Sequence, residues 1–341
     1  MRLLMLGGTE FVGRAVTEAA LGRGWEVTVF HRGHHPAPPG TRAVHGDRLA
    51  PDGLAALAAD EGEWDVVVDT WSGAPRVVRD TARLLAGRAG RYVYVSSASV
   101  YPHPLPAGSD ESHPVVDGDP DADSVAYAQD KRGGELAAAA EFGDERTLFA
   151  RAGLILGPYE NIGRLPWWLN RVARGGPVLA PGPRELDLQY IDVRDLAKWV
   201  LDAAGAGLHG AYNLISPIAH TTMGEFLEAC VDVAGAGAGA ELRWVEPDAL
   251  AAAGVEPWIE LPVWIPPGEL HDTIHRTSTE KAVAAGLVAR PVRETVADTW
   301  EWLVSLGGAA PQRADRPVVG LAPEKEAALL RGAPGFGDLP S

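Results

Sequence analysis

The sequence opens on Leu3-Leu-Met-Leu6, followed at once by Gly7-Gly-Thr-Glu-Phe-Val-Gly13, and this junction constrains the chain more than any other stretch. Consecutive apolar residues without alternation suit a strand buried on both faces, and the glycines predict a tight turn into a helix. Such a turn presents backbone N–H groups and the positive helix end to an anion such as a pyrophosphate, and glycine permits the close approach. Gly7, Thr9, Glu10, Phe11, Val12 and Gly13 are the residues so placed. Glu10 departs from a G-x-x-G-x-x-G pattern: a carboxylate beside a pyrophosphate is unfavourable unless it turns outward or is paired. Arg14 and Arg32 are its candidate partners.

Further along, Val27–Phe30, Val66–Val68 and Tyr92–Val95 are short runs rich in β-branched or aromatic residues and bounded by Gly, Asp or Ser. Between them Val12–Arg23, Gly53–Ala59 and Pro75–Ala86 read as helices. Strand and helix repeated in this way predict an α/β fold, a doubly wound parallel sheet of the Rossmann type. Residues 102–123 read as a loop, Ser124 to about Phe142 as a helix with Asp123 or Ser124 as N-cap, and Thr147–Ala150 as a strand. The expected organisation is a dinucleotide-binding domain over 1–155, with a later portion, about 185–215, woven back into its sheet. Residues 156–305 form mainly a smaller α/β substrate domain, with Val231–Ala240 as a small-residue linker. A Pro/Gly-rich tail over 306–341 carries one short helix, Pro323–Arg331.

Composition narrows the function. With 30 basic and 46 acidic side chains the net charge is −16, which argues against nucleic acid as a partner, since phosphate neutralisation needs a basic footprint. The single cysteine, Cys230, gives neither an intrachain disulfide nor a thiol cluster, and fits a reducing cytoplasm. No apolar run has the length of a signal-peptide core or a membrane span.

After the second strand comes His31-Arg-Gly-His-His35, with Arg32 nineteen residues beyond Gly13. Sites for NAD place Asp or Glu about twenty residues past the glycines, whereas a basic residue there suits the extra phosphate of NADP. No acidic residue lies between Thr28 and Pro36, so His31 and Arg32 favour NADP, with NAD as the alternative. With no Cys and no acidic ligand before Asp47, the histidines read as a solvated loop rather than a metal site.

Tyr127-Ala-Gln-Asp-Lys131 puts a phenol and an ammonium on one face of the predicted helix. A fixed cation stabilises a phenolate, and such a Tyr can pass a proton to or from a carbinol or carbonyl while hydride moves to or from nicotinamide. Tyr94-Val-Ser-Ser-Ala-Ser-Val-Tyr101 ends a buried-type strand in hydroxyls, at the carboxyl end where open α/β sheets bind ligands.

Taken together, the glycine turn, the Val-Ser-Ser-x-x-Val-Tyr strand end, Tyr-x-x-x-Lys and Arg151-Ala-Gly-Leu-Ile-Leu-Gly-Pro158 resemble the extended short-chain dehydrogenase/reductases. The likeness covers roughly residues 1–305. It points to the NAD-dependent epimerase/dehydratase branch, in its atypical group with a Gly-Gly-Thr-x-Phe-x-Gly turn. The resemblance implies Tyr127 as acid/base, Lys131 as its partner and ribose ligand, and Ser97 as the polarising hydroxyl. It also implies Asp47 and Arg48 against the adenine, and Thr70, Trp71 and Ser72 along the cofactor.

The expected function is therefore oxidation or reduction of a secondary alcohol or ketone with NADP. The alternatives are a sugar-nucleotide epimerase or dehydratase with tightly bound cofactor, and a non-catalytic nucleotide-sensing or RNA-binding protein, because the atypical group includes chloroplast proteins that bind RNA stem-loops. Ala98 and Ser99, where dehydratases of the branch typically place acidic residues, disfavour dehydration. The expected partner is a small molecule, a sugar nucleotide or another hydroxy or keto compound, and a homodimer is compatible with the sequence. Trp167, Trp168, Trp258 and Trp264 read as core packing or as pocket walls. Arg171, Arg174, Arg184 and Arg276 are available for a substrate diphosphate.

Overall fold

The computed structural model describes residues 1–332. Its first part runs β1 (Arg2–Leu6), α1 (Phe11–Gly22), β2 (Glu26–His31), β3 (Arg42–His45), α2 (Ala55–Ala59), β4 (Trp64–Asp69), α3 (Pro75–Leu85), β5 (Ala89–Ser97), α4 (Tyr127–Phe142) and β6 (Thr147–Ala152). It continues through β7 (Ile155–Leu156), α5 (Arg164–Ala173), β8 (Gly176–Pro181), β9 (Asp187–Leu188), β10 (Ile191–Asp192), α6 (Val193–Gly205), β11 (Gly210–Leu214), β12 (Thr221–Thr222) and α7 (Met223–Cys230). Then come β13 (Ala240–Val245), α8 (Pro247–Ala252), α9 (Glu269–His275), α10 (Glu280–Ala284), α11 (Val292–Ser305) and α12 (Pro323–Gly332).

Seven parallel strands form the central sheet in the order β11-β6-β5-β4-β1-β2-β3. The order reverses between β1 and β4, the position at which sheets of this kind take ligands. Both faces are covered: α1 and α6 share one apolar core with the sheet, while α3 and α4 share the other. Val66, Val67 and Val68 are accordingly fully buried, and each such side chain contributes roughly 1.5–3 kcal/mol.

Strand register lines up the functional turns. Leu6 pairs with Phe30 on one side and Asp69 on the other, so the glycine turn, His31-Arg32 and Thr70 leave the sheet side by side. Asp69 in turn pairs with Tyr94, and β5 runs three residues further to Ser97. That extension carries the hydroxyl cluster beyond the cofactor-side turns.

A third core gathers α5, β8, α7, α11 and the residues around 255–265. Trp168 and Trp264 are buried within it, with Trp167 and Trp258 packed on its edge, which is the packing alternative for these residues. Two expectations need correction. Val231–Ala240 is no linker: α7 continues there through a π turn and a 3-10 turn packed on α5, where Gly235 approaches Val172 and Ala240 too closely for a Cβ. Neither Asp123 nor Ser124 caps α4, whose first residue is Tyr127; instead Asp130 reaches back to the Ser124 hydroxyl (2.5 Å) and the Val125 N–H (2.9 Å). Of the tail, 333–341 lie outside the described residues, and the short helix begins at Pro323 as expected.

Candidate active site

A cleft of about 840 Å³ opens along the carboxyl ends of β1, β2, β4 and β5. The residues expected to hold the cofactor and to carry the chemistry line it: Gly7, Thr9, Glu10, Phe11, Val12, Gly13, His31, Arg32, Asp47, Arg48, Thr70, Trp71, Ser72, Ser97, Tyr127 and Lys131. The turn is built for close approach. Gly7 has φ +91°, and a Cβ on Gly13 would stand 2.0 Å from the Gly7 carbonyl oxygen. Across the turn the Thr70 hydroxyl donates to the Leu6 carbonyl (3.2 Å). Bare N–H groups at a helix start, glycines with no room for a side chain and a cleft of this size fit a dinucleotide cofactor.

Glu10 is the departure from that pattern. Its partner is His35, at 3.4 Å, and neither of the arginines expected there. Arg14 instead donates to Glu18 (2.8 Å) and stacks 4.1 Å from the centre of the Tyr159 ring. Arg32 is exposed at the end of β2. His31 is buried, accepts the Gly33 N–H on Nδ1 (3.3 Å) and sits edge-on to His45; burial and then the neighbouring His45 lower its pKa.

Arg48 spends its charge beneath the cleft. Its guanidinium forks onto the fully buried Asp69 (2.7 and 2.8 Å), which also accepts the Tyr92 hydroxyl (2.6 Å) and the Trp71 N–H (2.9 Å). Burial alone would raise the Asp69 carboxyl; the Arg48 charge and these hydrogen bonds bring it below the usual value. Asp47 accepts the Leu49 N–H (3.0 Å) and shapes the same loop.

On the far side of the cleft, α4 supplies Tyr127 and Lys131. Gly133 and Gly134 let that helix sit close: a Cβ on the first would meet Pro75, and on the second the Tyr94 ring at 2.5–2.9 Å. Glycine inside a helix costs about 1 kcal/mol against alanine, so this proximity is a requirement of the packing. Lys131 is buried, and its ammonium donates to the carbonyls of Trp71 (2.6 Å) and Val95 (2.8 Å). Burial pulls its pKa down to about 7, against the attraction of Asp69 and Glu135. Tyr127, one turn earlier, is 40% exposed. Ser97 accepts the Ser99 N–H (3.1 Å) on a hydroxyl that faces the cleft.

Sequence reasoning missed two parts of the site. One is Glu135, on the buried side of α4, which accepts Ser96 (2.8 Å), Arg151 (2.9 and 3.0 Å) and Arg132 (3.0 Å). This network ties α4 to the ends of β5 and β6. The other is the stretch Pro311–Arg316, which the sequence consigned to a tail and which lines the cleft. Of the four arginines considered for a diphosphate none lines the cleft: Arg171 is taken by Glu326, Arg184 by Glu228, and Arg276 stands 3.9 Å from Asp187.

This combination of sheet, turn and cleft defines a Rossmann-type fold of the extended short-chain dehydrogenase/reductase kind. The model of the NAD dependent epimerase/dehydratase family matches residues 3–214, and the chain belongs to that family. Among curated relatives, a bovine protein named Epimerase family protein SDR39U1 is 30% identical over 250 residues, 67% of this chain and 79% of that one. A 2-alkyl-3-oxoalkanoate reductase of Stenotrophomonas maltophilia is 29% identical over 245 residues, 63% of this chain and 70% of that one. Among solved structures, Bordetella bronchiseptica WbmH in complex with NAD+ superposes with a TM-score of 0.64 at 18% identity, over 90% of this chain and 99% of that one. Among the described residues no helix is long and apolar enough to cross a membrane.

Proposed function

We propose that this protein is an NADP-preferring enzyme that interconverts a secondary alcohol and a ketone, with Tyr127 as acid/base, Lys131 as its cationic partner and Ser97 as the polarising hydroxyl. The carrying observation is that these three side chains line the same cleft as the glycine turn. A bound nicotinamide supplies the hydride acceptor or donor. Tyr127 holds the proton that the substrate oxygen gains or loses, and Ser97 donates a hydrogen bond to that oxygen. The third core, beyond β7, is in this reading the substrate domain. Net reduction is the first reading and epimerisation the alternative: both use the same Ser, Tyr and Lys, and the curated relatives carry two reductase names and two epimerase-family names. Stoichiometric consumption of NADPH distinguishes reduction from an epimerisation in which the cofactor is regenerated.

Exposed Arg32, with His34 and His35 beside it in the cleft wall, supports the preference for a 2′-phosphate. Titration with NADPH and NADH tests it. NADPH should bind more tightly, and Arg32→Ala should weaken NADPH by about tenfold or more, the scale of a charge-assisted hydrogen bond, while NADH changes little. Binding of neither cofactor below about millimolar would sink the reading; a clear win for NADH would sink the preference.

Glu10 gives a prediction of opposite sign. Its carboxylate stands at the start of α1, where it opposes a pyrophosphate. Glu10→Gln should tighten NADPH by about two- to fivefold, the scale of one charge at a helix terminus. Fluorescence titration at low and high salt should show the gain shrinking as salt rises.

A further inference from the structure

The segment Pro311–Arg316 lies outside the stretch that the family model matches, yet it lines the cleft and is tied to the rest of the chain within and on both sides of it. Asn170 donates to the Gly308 carbonyl (2.9 Å), Arg313 N–H to that of Asn161 (3.0 Å) and Gly320 N–H to that of Ile259 (2.8 Å). Beyond it Val319 and Leu321 are buried, and Glu326 on α12 accepts the Nε–H of the buried Arg171 on its carboxylate oxygens (2.8 and 2.6 Å). The segment is therefore a strap across the cleft, tied down on both sides.

It carries two arginines with different fates. Arg313 is committed to Asp315 through two hydrogen bonds (2.9 and 2.7 Å). Arg316 lies with its guanidinium 5.5 Å from the centre of the Tyr127 ring, and its Nε is buried with no hydrogen-bond partner. The carboxylate near it, Asp315, stands 3.9 Å away and is already forked by Arg313. Arg164, at the start of α5 and not among the residues that line the cleft, rests 5.0 Å from the Trp258 ring and also has a buried Nε without a partner. Glu160 spends its carboxylate oxygens on the Arg164 and Leu165 N–H groups (2.7 and 3.1 Å). A buried donor left without an acceptor costs about 1–3 kcal/mol, and more when charged. The Arg316 guanidinium, in the cleft wall beside Tyr127, matches the planar geometry of an oxyanion.

We propose that Arg316 binds an oxyanion of the substrate, a carboxylate or a phosphate, next to the carbon whose oxygen Tyr127 serves. The proposal rests on the alcohol–ketone reading for the meaning of "substrate", but the site itself can be measured without turnover. Malonate and inorganic phosphate are the probes, titrated by calorimetry into the full chain saturated with NADP at constant ionic strength. One of them should bind with a dissociation constant of about a millimolar, weaken by roughly tenfold or more in Arg316→Gln and recover in part in Arg316→Lys. Arg293→Gln, at an exposed pair with Asp232, is the control and should bind as the parent does. Preference for malonate assigns a carboxylate, and preference for phosphate a phosphate. Equal binding by the parent and Arg316→Gln, or no binding of either probe by the parent, overturns the proposal. With acetoacetate and its ethyl ester as a matched pair, Arg316→Gln should raise KM for the acid and spare the ester. If no carbonyl compound consumes NADPH while malonate binding still depends on Arg316, the alcohol–ketone reading fails and the site stands. If neutral ketones are reduced and neither probe binds, the reading stands and the site fails.

Discussion

Replacing Tyr127 by Phe is expected to lower turnover at least about a hundredfold, the lower end for removal of a general acid/base, while NADPH binding stays within about twofold. The two effects separate because the hydroxyl does little for the fold. Tyr127 is the first residue of α4 and 40% exposed, and the helix start is held by Asp130 on Ser124 and Val125. Arg316 would keep a ring beneath it. Lys131 would keep both carbonyl acceptors, since neither belongs to Tyr127. An unaffected variant would rule out the assigned role. The pH dependence follows from Lys131: with burial holding its pKa to about 7 in the free protein, the ammonium is present below that value and discharged above it. A cation that supports a phenolate is thus lost as pH rises, so kcat/KM for NADPH, which reports the free protein, should fall on the alkaline side of about 7. A profile flat from pH 6 to 9 would mean that the charge on Lys131 does not matter.

The sheet was legible because its strands are fully buried and therefore written as unbroken apolar runs: Leu3–Leu6 and Val66–Val68 can hardly be anything else. β3 escaped because only Val44 of its four residues is buried, which leaves no run and no alternation to see. The glycine turn, Ser97, Tyr127 and Lys131 were legible as local spacings, and parallel register then brings them together without further information. What spacing does not contain is pairing over long separations. The family resemblance of Gly46-Asp-Arg48 placed Arg48 against the adenine, and Arg48 does line the cleft; its pairing with Asp69, twenty-one residues away, is what spacing could not show. Glu10 is met by His35 across the turn, since Arg14 lies one helical turn from Glu18 and pairs there first. The strap is the extreme case. Pro and Gly predicted a tail, and the residues that pin it, Asn161, Asn170 and Ile259, give no sign of doing so in sequence.

Asp69→Ala should cost about 3–5 kcal/mol of stability, the penalty for stranding one partner of a buried ion pair. Asp69 is fully buried, and four donors converge on it: two from Arg48, the Tyr92 hydroxyl and the Trp71 N–H. Without the carboxylate the Arg48 charge, itself within the wall, has no counterion, and its Nε already lacks a partner. Urea denaturation of the two proteins measures the loss directly; a change under about 1 kcal/mol would contradict the geometry. The sign with pH is fixed by the lowered Asp69 pKa. A carboxyl whose folded value lies below its unfolded one contributes stability above the unfolded value, near about 3.8, and loses it as pH falls through the folded one. The difference between parent and variant should therefore be full at pH 7 and shrink only below about pH 4. Replacing both partners, as Arg48→Met with Asp69→Leu, removes the stranded charge and should recover part of the loss. It cannot recover all of it, because Tyr92 and the Trp71 N–H remain without their acceptor. The same residue bears on the cleft, since the Trp71 carbonyl is where Lys131 rests. The double variant should accordingly fold more stably than Asp69→Ala and still bind NADPH more weakly than the parent.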